Sequence, residues 1–179
     1  MEKTSYQQPI TQEVLVNKFV DIIEKKGGLF QKTAGVHAVV AKGGEHIITV
    51  TKDGKETENI SFAGDFIITN DTSSMESYII PAFKFNDRYV PHPDITDFYV
   101  PNEKARIFAL EVSEANIRQY NLKEIEQLII NPEHPVFIHT PWNEDQAVRL
   151  NDYLACPITK NEVYRIARHE FDESYTLAK

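Results

Sequence analysis

A stretch near the end of the chain repeats one near its middle, and this repeat constrains the fold more than any other feature. Asp65 and Phe66 match Asp152 and Tyr153. After a one-residue gap, Glu76, Tyr78, Ile80, Phe85 and Tyr89 match Glu162, Tyr164, Ile166, Phe171 and Tyr175. The 179 residues are therefore expected to form two copies of a small module. Modules of roughly 70–80 residues are marginal alone, because small domains bury a low fraction of their surface. The copies are thus expected to pack against each other.

The polar first ten residues are expected to fray. Thr11 then caps a predicted helix whose Leu15, Phe19, Ile22 and Ile23 form one apolar stripe. Lys25 and Lys26 suit its C-terminus, and Gly27–Gly28 end it. Val36–Ala41 and His46–Thr51 have strand composition. Asp53–Gly54 predicts a hairpin turn, since both residues tolerate positive φ, with the return strand through Glu56–Ile60. Gly64–Asp65 turns into a strand at Phe66–Thr69. A polar loop, Asn70–Ser74, leads to a strand at Glu76–Ile80 that Pro81 closes. Phe83, Phe85 and Tyr89 fall in a short helical turn, with Phe85 and Tyr89 on one face. The proline-rich segment 91–103 is the linker candidate, and its Ile95, Phe98, Tyr99 and Val100 predict that it packs down.

The second copy opens with a strand at Arg106–Val112, the counterpart of Val36–Ala41. The spacing between matched positions then widens, which marks an insertion. Ser113 or Asn121 can cap an inserted helix ending at Ile130, with Asn121 and Glu124 set as a capping box and Leu122, Ile125, Leu128 and Ile129 as its stripe. Val136–Thr140, Val148–Ala155 and Glu162–Ala167 are predicted strands, with a turn at Pro141–Trp142–Asn143. The expected fold is α+β: two related small antiparallel β modules, each a curved sheet or partly open barrel, with an N-terminal helix and one inserted helix. The expected boundaries are 1–30 for the helical segment, 31–100 for the first module and 101–179 for the second, with its helix at about 113–130.

The repeated motif resembles the PGDYG family and related phage and bacterial proteins. It is carried by Gly64-Asp65-Phe66, Glu76, Tyr78, Phe85 and Tyr89. The second copy keeps Asp152-Tyr153, Glu162, Tyr164, Phe171 and Tyr175, with Asn151 in place of the motif glycine. Ala63 and Leu150 stand where the family has proline. Asn is the best non-glycine residue for a left-handed turn. The family carries no established activity, so the resemblance implies a module and no reaction.

Composition excludes several classes. The net charge of −8 opposes binding to nucleic acid or to anionic membranes, which need a basic footprint. Cys156 is the single cysteine, so no internal disulfide or cysteine-based zinc cluster can form. With no apolar leader and no run long enough to span a bilayer, a cytoplasmic location is expected. The six histidines lack ligand spacing. Lys42-Gly43-Gly44 and Lys26-Gly27-Gly28 are turns and not phosphate loops. No cofactor or metal is expected.

The remaining candidates for ligand contact are Asp65, Glu76, Tyr78, Trp142, Asp152, Glu162 and Tyr164. Each has a commoner structural role. Asp65 and Asp152 suit turns that bond their own backbone. Glu76 and Glu162 suit surface ion pairs with Arg88 or Arg168. The motif aromatics suit a core, although aromatic faces also stack planar ligands. Trp142 is either an exposed anchor for a partner or core. Cys156 with His139 or His169 could pair as nucleophile and base, but a small buried thiol is the commoner case. The leading expectation is a noncatalytic protein that binds a protein partner or a small polar ligand, sited between the modules. The alternatives are a hydrolase or transferase on a nucleotide-like substrate, using the four repeat carboxylates, and a phage-type structural or accessory protein.

Overall fold

The computed structural model describes residues 8–51, 54–73 and 75–178, and of residues 49–51 and 54–57 the backbone only. In chain order the elements are α1 (Gln12–Lys26), β1 (Gly28–Lys32), β2 (Val36–Val40), β3 (His46–Thr51), β4 (Gly54–Ile60), β5 (Phe66–Asn70) and β6 (Ser77–Ile80). Then come α2 (Ala82–Arg88), β7 (Tyr89–Pro91), β8 (Phe98–Pro101), β9 (Arg106–Glu111) and α3 (Glu114–Gln119). After a 3-10 turn at Lys123–Ile125 follow α4 (Gln127–Ile130), β10 (Val136–His139), β11 (Asp145–Val148), β12 (Tyr153–Pro157), β13 (Tyr164–Ile166), α5 (Arg168–Ser174) and β14 (Tyr175–Leu177). The fold is α+β, with antiparallel sheets and, among the described residues, no closed barrel.

Contacts divide the chain into two compact units. One holds residues 28–107 and 167–179; the other holds residues up to Gly27 and 108–166. The division differs from the three segments read from the sequence. The N-terminal helix falls with residues 108–166, and the chain from Ala167 on falls with residues 28–107.

In the unit of residues 28–107 and 167–179, a five-stranded sheet runs in the order β6-β5-β2-β8-β7. Register pairs Val36 with Asn70 and Tyr99, Ile68 with Tyr78, and Tyr89 with Pro101. Val36, Ala38, Ile68, Phe85 and Tyr89 are its buried core. Phe85 stacks on Phe66 at 4.1 Å and on Tyr89 at 5.0 Å. The predicted hairpin is present as β3 and β4, with Thr51 opposite Gly54; its turn residue Asp53 lies outside the described residues, as does Ser74 of the polar loop. The expected linker contains β8 and the last residue of β7, because its apolar residues pair into the sheet. A further ladder joins β1 to β14. The sequence reading assigned no strand at β1.

In the other unit, Thr11 caps α1 by accepting from the Val14 N–H at 3.3 Å. Leu15, Phe19 and Ile23 are fully buried in a core with Leu122, Ile125, Leu128, Val136, Ile138 and Leu154. Each such burial stabilises by roughly 1.5–3 kcal/mol. Gly27 follows closely on the Ala109 carbonyl, where a Cβ would come within 2.2 Å of the oxygen. Strands β13, β12 and β9 run in that order, and β10 pairs with β11. The expected inserted helix is broken into α3, the 3-10 turn and α4. Asn121 has φ +54°, a left-handed conformation that ends a helix instead of starting one. Ser113 caps α3 by accepting from the Asn116 N–H at 3.1 Å. The expected strand Val148–Ala155 is likewise two strands, parted by a turn at Asn151, φ +78°.

The duplication holds at the level of single hydrogen bonds. In the first copy the Asp65 carboxylate accepts from the Phe62 N–H at 3.1 Å, and Gly64 has φ +93°. In the second, Asp152 accepts from the Arg149 N–H at 2.8 Å, with Asn151 in the glycine's place. Ala41 N–H bonds to the Asp65 carbonyl at 2.7 Å, and Val112 N–H to that of Asp152 at 2.8 Å. Tyr89 and Tyr175 end their helices with the same backbone angles, φ −128° in both. The β13-β12-β9 order repeats β6-β5-β2, and the β14–β1 ladder repeats β7–β8. Phe30 meets Phe171 edge-on at 4.8 Å, as Tyr99 meets Phe85 at 4.8 Å. The strand that corresponds to β8 in the second copy is therefore β1, from the beginning of the chain.

Candidate functional site

The ends of β1, β5, β6 and α2 converge on a lysine. Lys32 is the last residue of β1, opposite Tyr175, and is 8% exposed. Its Nζ donates to Tyr89 Oη at 2.6 Å, Tyr78 Oη at 3.1 Å and Asn70 Oδ1 at 3.4 Å. Tyr78 Oη donates in turn to Asn70 Oδ1 at 2.9 Å. The ammonium also stands 5.2 Å from the Tyr89 ring centre and 5.7 Å from that of Tyr78, within cation–π range. Burial works against the charge of Lys32. The phenols of Tyr89 and Tyr175 and the Glu170 carboxylate outweigh it, so its pKa is raised. The Tyr78 phenol is held well above its usual range, first by burial and then by Tyr89, Glu76 and Glu170.

Two carboxyl groups complete the cluster. Glu170, buried on α5, accepts from Thr72 Oγ1 at 3.1 Å on both oxygens. Glu76 stands two residues before Tyr78, and its Oε1 is buried without a hydrogen-bond partner. Burial, with the charge of Glu170 adding and Lys32 opposing, raises the Glu76 carboxyl to about 8. It is therefore a neutral acid at pH 7. The cluster joins Asn70, Tyr78 and Tyr89 of the first copy to Glu170 and Tyr175 of the second. It is asymmetric: Pro101 stands opposite Tyr89 where Lys32 stands opposite Tyr175.

Beside it, Ser73 Oγ lies 2.5 Å from both His169 Nε2 and Glu173 Oε1. One ring nitrogen faces both neighbours, so the trio lacks the relay of a catalytic triad, in which the two nitrogens serve different partners.

Of the residues singled out from the sequence, Glu76 and Tyr78 meet in this cluster. Asp65 holds its turn. Asp152 holds the matching turn and receives the Arg165 Nε at 2.9 Å, in an ion pair whose side chains are 5% and 2% exposed. Glu162 is half-buried just before β13. Trp142, 40% exposed on its turn, lies 6.2 Å from Tyr164, ring centre to ring centre. Sequence reasoning missed Lys32, Asn70, Thr72 and Glu170 as site residues; Tyr89, read as core, is core and its hydroxyl also accepts from Lys32. One signal was available: at matched positions of the repeat the first copy has Lys84 and the second has Glu170, of opposite charge.

A shallow groove of about 370 Å³ borders the β10–β11 turn in the other unit, lined by Thr11, His139, Asn143, Glu144 and Asp145 among others. His139 is no free base, because Nδ1 bonds Asp145 Oδ1 at 2.9 Å and Nε2 bonds Asn143 Oδ1 at 3.0 Å. Asp145, above all, raises its pKa. Cys156 is buried, and burial pushes its thiol up to about 11. It is unfit as a nucleophile at neutral pH. Among the described residues no three metal-binding side chains converge, and no helix is long and apolar enough to cross a membrane.

No family model matches the chain, and comparison with curated proteins and with solved structures returned no match.

Proposed function

We propose that this is a noncatalytic binding protein that takes a small polar ligand at the Lys32 cluster. The observation that carries the reading is Glu76 Oε1, a buried carboxyl oxygen without a hydrogen-bond partner. Buried polar atoms are nearly always satisfied, and an orphan costs about 1–3 kcal/mol. A bound ligand with a complementary polar group would satisfy it. The carboxylates that an enzyme would need give no support to the catalytic alternative, since Asp65 and Asp152 are committed to turns. The charge of −8 favours a ligand other than nucleic acid. A single buried thiol fits a cytoplasmic setting.

A thermal-shift screen of small polar compounds tests this. At least one should raise the melting temperature of the wild type and leave Glu76→Gln unmoved. A broad panel without any such compound sinks the reading. Exposed Trp142 supports a second reading, a protein partner docked at the β10–β11 turn. It is the only tryptophan, so its fluorescence would report that partner directly.

A further inference from the structure

We infer that His139 is a pH-sensitive clamp on the turn between β10 and β11: its doubly protonated ring holds Asn143 and Asp145 together, and loss of one proton releases the turn that carries Trp142. The clamp is independent of any ligand at Lys32. Its two ring nitrogens face different oxygens. Nδ1 lies 2.9 Å from Asp145 Oδ1, and Nε2 lies 3.0 Å from Asn143 Oδ1. A carboxylate oxygen and an amide oxygen can only accept, so both nitrogens must donate. A neutral imidazole has one N–H and serves one of the two. The ring that makes both bonds is therefore an imidazolium.

Trp142 lies between His139 and Asn143 in the chain, so the bond from Nε2 to Asn143 spans it. The backbone closes the turn without the clamp: Thr140 N–H bonds to the Glu144 carbonyl at 2.7 Å, and Asn143 N–H to that of Thr140 at 3.1 Å. The ring instead fixes the Asn143 side chain. As pH rises, Asp145 keeps the remaining N–H, because a charge-assisted bond is the stronger. Nε2 then turns a lone pair on Asn143 Oδ1, and that side chain swings away. His139, Asn143 and Asp145 also line the groove of about 370 Å³, so release reshapes its wall. Around the ring stand Glu144 from the turn, Asp145 from β11, and uncharged Gln8, Pro9 and Thr11 from the segment before α1. Gln12 of α1 donates to the His139 carbonyl at 2.7 Å, and Glu13 of α1 is exposed. β13, packed on β11, brings Arg165, paired with Asp152, and follows half-buried Glu162. The bond to Asp145 raises the pKa of the ring above the ordinary 6.5 against burial, with Asn143 and the Asp145 charge adding. A raised pKa keeps the clamp closed below 6.5 and opens it as pH climbs through the folded value.

Trp142 is the only tryptophan, so its emission reports the clamp. Emission and acrylamide quenching of the whole protein, followed from pH 5 to pH 9, should show a single-proton step with its midpoint above 6.5, and Trp142 should be quenched more readily at the alkaline end. The ring signals of His139, followed by NMR, should titrate at the same midpoint. His139→Gln should remove the step. Asn143→Gly, which tolerates the left-handed turn at φ +68°, should remove the step from the emission while His139 still titrates, held up by Asp145. Asp145→Asn should bring the midpoint back toward 6.5. A ring that titrates at or below 6.5 would overturn the clamp. So would an emission that stays flat while His139 titrates, or an emission step that survives in His139→Gln or Asn143→Gly.

Discussion

Gly64 and Asn151 fill the same position in the two copies, with φ +93° and +78°. Nothing lies within 4 Å of a Cβ built on Gly64, so the conformation alone sets the cost of a side chain there. Gly64→Ala should lose about 1 kcal/mol, while Asn151→Gly should stay within a few tenths, both read from urea midpoints. Glu76 sets a pH dependence of its own. Its carboxyl stands at about 8 in the folded chain against 4.5 ordinarily. Between those values the folded chain holds a proton that the unfolded chain has released, so stability falls as pH rises through that window and levels off above it. Glu76→Gln should remove on the order of 2 kcal/mol of that fall, a figure discounted for partial solvent exposure. Urea unfolding at pH 5, 7 and 9 measures it; equal slopes for both proteins would contradict the assigned burial. The turn signals and the repeat aromatics were legible from residue types. The site role of Lys32 was not, because nothing in the local pattern LFQK says that two tyrosines wait for it.

Two elements show how pairing overrides local pattern. β1 and β8 occupy corresponding places, yet one follows a double glycine and the other sits among prolines, so neither has strand periodicity of its own. Their partners are distant: β1 pairs with β14, and β8 with β2. Strand formation depends on such neighbours more than on intrinsic preference. If the equivalence holds energetically, Phe30→Ala and Tyr99→Ala should cost similar amounts, about 2–3 kcal/mol each for half-buried aromatics. Denaturant unfolding of the two variants compares them, and a near-zero cost for Phe30 would reject β1 as an integral strand. The turn carboxylates should differ more. Asp152→Asn removes the carboxylate from its buried pair with Arg165 and should cost about 3–5 kcal/mol. Asp65→Asn removes only the charge from the bond that Phe62 N–H donates and should cost about 1 kcal/mol. The insertion is broken locally: left-handed Asn121 ends α3, and the apolar spacing over 122–129 is met by a 3-10 turn followed by α4 in place of one helix.

At the scale of the molecule, the end of the chain belongs with residues 28–107. α5 contributes Phe171 against Phe30 and Glu170 to the Lys32 cluster, while β14 covers β1. A chain ending at Ile166 should therefore lose amide protection along β1 and expose Lys32. Hydrogen exchange followed by mass spectrometry would show this, and unchanged protection of β1 would refute it.

The sequence by itself determined that the chain is a duplication, which residues turn, and which aromatics repeat. Those properties live in short segments, where glycine, asparagine and aspartate choose the backbone angles and apolar spacing chooses the element. Tertiary structure alone decided that β1 serves the second copy. It also decided that Lys32, Asn70, Tyr78, Tyr89, Glu76 and Glu170 share one buried place. Those outcomes depend on which distant strands pair and which charges lose their water together, and no local pattern encodes either.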